Sequence, residues 1–227
     1  MNGYDFDLAG ATLTVLPSGA LYWAAARLLC VSDLHLGKSE RLARRDGLLL
    51  PPYEIRETLQ RLEADITASA PEIVVCLGDS FDDLDAASAL NEDTKGWIDS
   101  LMAGRRWIWI EGNHDAGPVE LGGTHLETFY QPPLLFRHIA THGTRGEISG
   151  HYHPKARVVA RGRTLTRRCV LTDGVKAILP AYGTYTGGLP SDHEDLAALM
   201  GAEAMAILLA EPPLAIPMPK PAPNTFG

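Results

Sequence analysis

At 227 residues, with 45% hydrophobic and 21% charged residues, the chain has the makeup of a globular domain large enough to bury a substantial core. A formal charge of −8 excludes a protein that coats nucleic acid by bulk electrostatics, though not one with a local cationic site. No apolar run approaches the roughly 20 residues of a membrane-spanning helix, no basic segment precedes an apolar one at the start, and Cys30, Cys76 and Cys169 lack metal-finger spacing, so a cytoplasmic protein with no membrane association is expected.

Residues 5–23 alternate apolar and polar around Pro17-Ser18-Gly19, the pattern of a β-hairpin or a pair of edge strands. The apolar run from Leu28 predicts a buried strand over 28–32, and at its end stand Asp33 and His35. In extended backbone, residues i and i+2 project to one side, so this pair can converge on a point beyond the strand. Alone, Asp-x-His is most simply a turn cap beside a surface histidine. The following loop is basic, with Lys38, Arg41, Arg44 and Arg45 against Glu40 and Asp46. Pro51-Pro52 then opens a helix, along which Ile55, Leu59, Leu62 and Ile66 form an apolar stripe.

Ile73 to Leu77 predicts a second strand covered on both faces. A helix from about Asn91, a plausible N-cap, to Met102 is closed by Gly104, and a third strand covers 107–110. Strands alternating with helices imply parallel pairing with helices on the faces. Beyond residue 134 only strands follow for a while, over 134–141, 147–150, 156–161, 164–172 and 175–179, as an antiparallel or mixed sheet. A helix near 193–200 and a strand over 205–209 close a domain of residues 1–210, and the proline-rich 211–227 are expected to be a flexible tail.

The strand ends carry the chemistry. The second is followed by Gly78-Asp79-Ser80-Phe81-Asp82-Asp83, the third by Gly112-Asn113-His114-Asp115, and later come His142-Gly143 and Gly150-His151-Tyr152-His153. Open α/β sheets place ligands at the carboxyl ends of their strands. Five of the eight histidines fall inside these motifs, which a scatter of ordinary core or surface histidines does not explain.

This ordered series resembles the calcineurin-like metallophosphoesterase superfamily over residues 31–153. The resemblance implies an α/β fold in which two mixed β-sheets are sandwiched between flanking helices, four layers α/β/β/α. It also implies two divalent metal ions. Asp33, His35, Asp79 and His153 would hold the first, and Asp79, Asn113, His142 and His151 the second. His114 would be the catalytic histidine, oriented by Asp115. Two divalent cations outweigh the carboxylates of Asp33 and Asp79, leaving a positive pocket for phosphate, and they lower the pKa of a shared water.

Finer features are similar to one bacterial branch, the ligase-associated DNA damage response endonucleases: Asp33-Leu34-His35-Leu36-Gly37-Lys38, Leu49-Leu50-Pro51-Pro52, Gly78-Asp79-Ser80-Phe81 and Ala181-Tyr182-Gly183-Thr184-Tyr185-Thr186-Gly187-Gly188-Leu189. That branch implies Mn2+, although oxygen and nitrogen donors also suit iron, zinc or cobalt. It further implies DNA as substrate, a role in DNA repair, and a DNA ligase, an exonuclease and a helicase as pathway partners. Asp82 departs from the histidine of many relatives. Lys38, Arg41 and Arg44 are candidates to meet a substrate phosphate. Tyr182 and Tyr185 are candidates to stack on a base, with ordinary packing as the favoured reading.

Lys155, Arg157, Arg161, Arg163, Arg167 and Arg168 occupy a window without an acid, 155–172, and either track a DNA backbone or solvate a hairpin. Arg167 has the parity of Leu165, Cys169 and Leu171, so it needs a partner or marks a slip of register. Hydrolysis of nucleotides or other small phosphoesters is the alternative to DNA cleavage. Less favoured are a lipid-precursor hydrolase, for want of a basic amphipathic helix, and a non-catalytic scaffold, since every motif of the metal set is present.

Overall fold

The computed structural model describes residues 2–39, 41–42, 47, 53–82, 88–115, 121–160 and 162–220, with only the backbone at 160. The N-terminal alternation forms three antiparallel strands rather than one hairpin: Tyr4–Leu8 (β1), Ala11–Val15 (β2) and Leu21–Trp23 (β3). Leu28–Val31 (β4) continues the antiparallel order. Then the crossover pattern takes hold. Glu54–Ser69 (α1) leads to Ile73–Leu77 (β5), Glu92–Met102 (α2) leads to Arg106–Ile110 (β6), and Thr124–Leu126 (β7) completes a parallel run β4-β5-β6-β7. Pro51, Pro52, Arg44, Arg45 and Asp83 lie outside the described residues.

The helices start and stop for legible reasons. The Asn91 side chain accepts from Thr94 N at 2.8 Å, capping α2, and Gly104 beyond its end adopts φ +73°. Leu59, Leu62 and Ile66 of α1 are buried, with Ile55 packed beside them.

The second sheet is mixed. Its strands are Thr128–Gln131 (β8), Leu134–Arg137 (β9), Glu147–Ser149 (β10), Lys155–Ala160 (β11), Arg163–Thr172 (β12), Lys176–Ile178 (β13), Met205–Leu208 (β14) and Leu214–Pro217 (β15). The order is β15-β14-β12-β13-β10-β9-β8, with β11 paired to β12. β10 runs parallel to both β9 and β13. No sequence pattern announces β7 and β8, which are short and mixed in polarity. A third helix, Glu194–Leu199 (α3), follows β13.

Side-chain alternation sorts the apolar residues into three layers. Cys30, Val75, Leu77, Ile108 and Ile110 face Phe136, Ile148, Val170 and Ile207 between the sheets. Their neighbours Leu29, Val31, Val74, Cys76, Trp107 and Trp109 turn the other way, onto α1 and α2. On the far side Cys169, Leu171, Ile178 and Ala206 pack on Leu196 of α3. The four layers are therefore α/β/β/α, and the central strands are apolar throughout because both faces are covered. Among the described residues no helix is long and apolar enough to cross a membrane.

The expected tail needs correction. β15 pairs residue for residue with β14, from Leu208↔Leu214 to Met205↔Pro217, and Met218 beyond it is buried. Prolines are compatible with this strand because it lies at a sheet edge, where a missing N–H can face outward. Residues 221–227 lie outside the described part.

Candidate metal centre

Five strand ends meet. β4 delivers Asp33 and His35, β5 delivers Asp79, β6 delivers Asn113 and His114, β9 delivers His138, and β10 delivers His151 and His153. The loops are laced together by backbone bonds: His35 N donates to Asp79 O at 2.9 Å, Gly150 N to His138 O at 2.9 Å, and Gly183 N to Asp33 O at 3.0 Å.

The two-residue spacing does converge the side chains, but not through extended backbone. Asp33, His35, Asp79, His151 and His153 all have positive φ, from +47° to +71°. A left-handed conformation costs an L-residue about 1–2 kcal/mol, and persists where surrounding contacts over-determine it. Gly150 shows how tight the packing is. A Cβ there would collide with Ser32 Oγ and the Asp33 carboxylate.

Two groups of ligand-capable atoms result. In the first, Asp33, His35 and His153 offer atoms all within 4.8 Å of one another. Asp33 Oδ1 and His153 Nε2 are 3.0 Å apart, yet they and His35 Nε2 are buried without a hydrogen-bond partner. Three orphaned donor atoms aimed at one point fit a cation. In the second group, Asp79, His138 and His151 meet the same 4.8 Å limit. His138 Nε2 lies 3.4 Å from Asp79 Oδ2, 3.2 Å from His151 Nδ1 and 2.9 Å from Asn113 Oδ1. Its other nitrogen is 2.7 Å from Leu77 O and donates there, which turns the Nε2 lone pair toward the cluster.

The electrostatics of the cluster carry the same signature. Burial opposes ionisation of Asp33 and Asp79, but the facing imidazoles of His153 and His138 outweigh it and hold both carboxyls below their usual range. Burial pushes His138 down, and the Asp79 and Asp33 carboxylates more than reverse this, so it sits above the usual histidine value. His151 is lowered by burial and by the neighbouring His138. The cluster thus favours a bound positive charge.

His142 is not part of this cluster. It is exposed on the turn after Thr141, and His138 stands where a second-group histidine was expected. The expected strand 134–141 is too long, because Ile139 and Ala140 continue the apolar run while the ladder ends at Arg137. One signal was available: Leu134 and Phe136 are buried at alternate positions, and His138 is the next residue of that parity, just past the strand end.

Asp115 does not hold the His114 ring. Its carboxylate accepts backbone N–H groups from Asp79 at 3.0 Å, Ser80 at 2.7 Å, Phe81 at 3.2 Å and Gly112 at 3.0 Å, tying the β5 and β6 loops together. The His114 ring is held by Asp82 O, 3.1 Å from Nδ1, and its Nε2 lies 4.0 Å from Asp79 Oδ2.

Asp82 has a role that no motif announced. Its buried carboxylate accepts from His35 Nδ1 at 2.9 Å and from Arg41 Nε, with Lys38 Nζ 3.9 Å away. Burial opposes this charge, but His35 and Arg41 hold the carboxyl down at about 2. Metal-binding histidines characteristically donate their second nitrogen to such a group. Lys38 and Arg41 are thereby anchored beside the centre, and Arg44 lies outside the described residues.

Tyr182 cannot stack on a base. It is 0% exposed, its hydroxyl donates to Asp65 at 2.8 Å, and Arg61 lies over its ring while donating to its carbonyl at 2.6 Å. It anchors the glycine-rich segment against the site, whereas Tyr185 in that segment is exposed.

A family model for calcineurin-like phosphoesterases matches residues 26–194. A solved structure, the nuclease MPE of Pseudomonas putida, is similar to the chain with a TM-score of 0.74 and 28% sequence identity, covering 93% of this chain and 100% of that one. No curated protein matches the chain.

Proposed function

The chain belongs to the calcineurin-like phosphoesterases and is a metal-dependent hydrolase, and from that premise we propose that it is a phosphodiesterase acting on DNA, with DNA repair as its setting. The observation that carries the reading is the pair of adjacent donor groups at one mouth, with Asp33 Oδ1, His35 Nε2 and His153 Nε2 buried and unpartnered. The similar nuclease supports nucleic acid as the substrate class. Asp33, His35, Asp79 and His153 would hold one divalent ion, and Asp79, Asn113, His138 and His151 the other. Such ions, Mn2+ in our reading, supply a reactive water at neutral pH and a positive clamp on phosphoryl oxygens.

The remaining work falls to the chain. Asp33 and Asp79, ionised across the neutral range, keep the cluster open to cations. Asn113 offers an oxygen without adding negative charge. His114, half-exposed and fixed through Nδ1 to Asp82 O, presents Nε2 at the mouth. In its imidazolium form, Nε2 has a proton to give to the departing oxygen as the phosphorus–oxygen bond breaks. A poor alkoxide leaving group such as a deoxyribose oxygen needs that proton most.

The test is turnover by the purified chain with Mn2+ on an aryl phosphodiester, an aryl phosphomonoester, and single- and double-stranded DNA. Cleavage of the diester and of DNA is expected. Activity on the monoester alone would overturn the diesterase reading, and inactivity with every divalent metal would favour a scaffold.

A further inference from the structure

The β11–β12 hairpin stands apart from the rest of its sheet. Among the described strands β11 pairs only with β12, through Lys155↔Arg168 to Ala160↔Arg163, apart from a single bridge of Lys155 to Pro190 at its base, while only residues 169–172 of β12 reach β14 and β13. The outer half of the hairpin therefore projects beyond the sheet. Arg167 shares the parity of buried Cys169 and Leu171 without any slip, and its side chain is exposed beside buried Ala156.

Register assigns the two faces. Lys155, Arg157 and Val159 lie opposite Arg168, Thr166 and Thr164, and these six share one face. The base of that face is tied to the rim of the metal centre. Lys155 Nζ donates to Thr186 O at 3.1 Å and Arg168 Nη1 to Ala181 O at 2.9 Å. The residues next to Ala181 touch the centre itself, Tyr182 N donating to Ser32 O at 2.7 Å and Gly183 N to Asp33 O at 3.0 Å. Beyond this base, Arg157, Thr164 and Thr166 are exposed, and Val159 is 76% exposed. The other face packs Ala156 and Val158 onto the α3 side.

We infer that this face is an arm along which a nucleic-acid strand runs out from the phosphate being cleaved. Arg157 meets a backbone phosphate, Thr164 and Thr166 donate to phosphate or sugar oxygens, and Val159 lies against a base or sugar. Charge complementarity names the occupant: this face carries Lys155, Arg157 and Arg168 and no acid, and in a chain of formal charge −8 that marks a local polyanion site. An isolated exposed valine among hydroxyls and guanidinium matches a strand that offers apolar bases between charged phosphates. The inference rests on the nucleic-acid reading above.

Binding and cleavage separate the two. The Mn2+-loaded chain is titrated with a fluorescein-labelled, cleavage-resistant phosphorothioate oligonucleotide, and turnover on DNA and on an aryl diester is measured in parallel. Arg157→Gln should weaken binding roughly fivefold and lower the salt slope by about one. It should reduce DNA cleavage relative to aryl-diester cleavage by a similar factor. Arg167→Gln, on the opposite face, should stay within about twofold of wild type if its charge acts only through the general field. Equal effects of the two changes, or none from Arg157→Gln, would overturn the arm. A wild-type chain that binds the oligonucleotide but cleaves only the aryl diester would refute the nuclease reading, with the two variants still deciding the arm. A wild-type chain that binds no oligonucleotide would sink both.

Discussion

The two sheets reach one metal centre by different routes. In the first, β4, β5 and β6 lie parallel and adjacent, so their carboxyl ends share an edge, and each is followed within a few residues by a donor. Among the described residues of the mixed second sheet only β9 and β10 supply donors, and those two are also parallel neighbours. Donors come from parallel pairs in both sheets, because only such pairs bring two carboxyl ends to the same place. The sheets differ in how the ends are marked. Glycine breaks the run after Leu77 and near Ile110, whereas Arg137 is followed by His138-Ile139-Ala140, which reads as more strand.

The sharpest way to break this comparison is to remove one donor from each sheet. Asp79→Ala should cost at least about a thousandfold in turnover, since several kcal/mol of phosphoryl charge stabilisation go with the ions, and equilibrium dialysis should show loss of both Mn2+ ions. His138→Ala should lose one ion and about a hundredfold in turnover, while His142→Ala behaves as wild type. A reversed result for the two histidines would return the second group to the assignment first drawn from the motifs.

Next in size is the contrast between adjacent residues of the β6 loop. Asp115→Ala leaves buried N–H groups of two loops unpaired, so the metal-free protein should lose at least about 3 kcal/mol in denaturant unfolding. His114→Ala should leave stability and metal content unchanged but lower turnover by about a hundredfold to ten-thousandfold, the range for a lost proton donor. Unchanged turnover would remove His114 from the mechanism.

Asp82 sharpens the comparison between the two donor groups, since of their histidines its carboxylate holds only His35. Asp82→Ala should weaken the first ion about ten- to a hundredfold and spare the second, as judged by two-site Mn2+ titration. Equal loss at both sites would contradict the geometry.

The smallest effect is on pH dependence. The folded Asp82 carboxyl is held at about 2, below its ordinary value near 4 when unfolded, so it stabilises the fold fully above about pH 4 and progressively less as pH falls toward 2. Asp33 and Asp79, also lowered, act in the same direction. Melting temperatures of the metal-free protein should drop across that acid window, and Asp82→Asn should flatten part of the slope. A slope identical to wild type would remove the His35 and Arg41 partnership as its source.

Apolar runs and their breakers determined by themselves the three parallel strands, the Asn91 cap and the candidate donors of the first sheet, because strand, turn and metal-competent side chain there are neighbours in the chain. Parity even held the clue to His138. Only the tertiary structure decided the left-handed backbone beneath the ligands, the four N–H groups gathered by Asp115, the burial of Tyr182 and the edge strand β15. The ligand loops, the Asp115 clasp and the burial of Tyr182 depend largely on contacts between residues tens of positions apart, and β15 on a free sheet edge beside it; a linear pattern carries no record of which group will arrive to satisfy a buried atom.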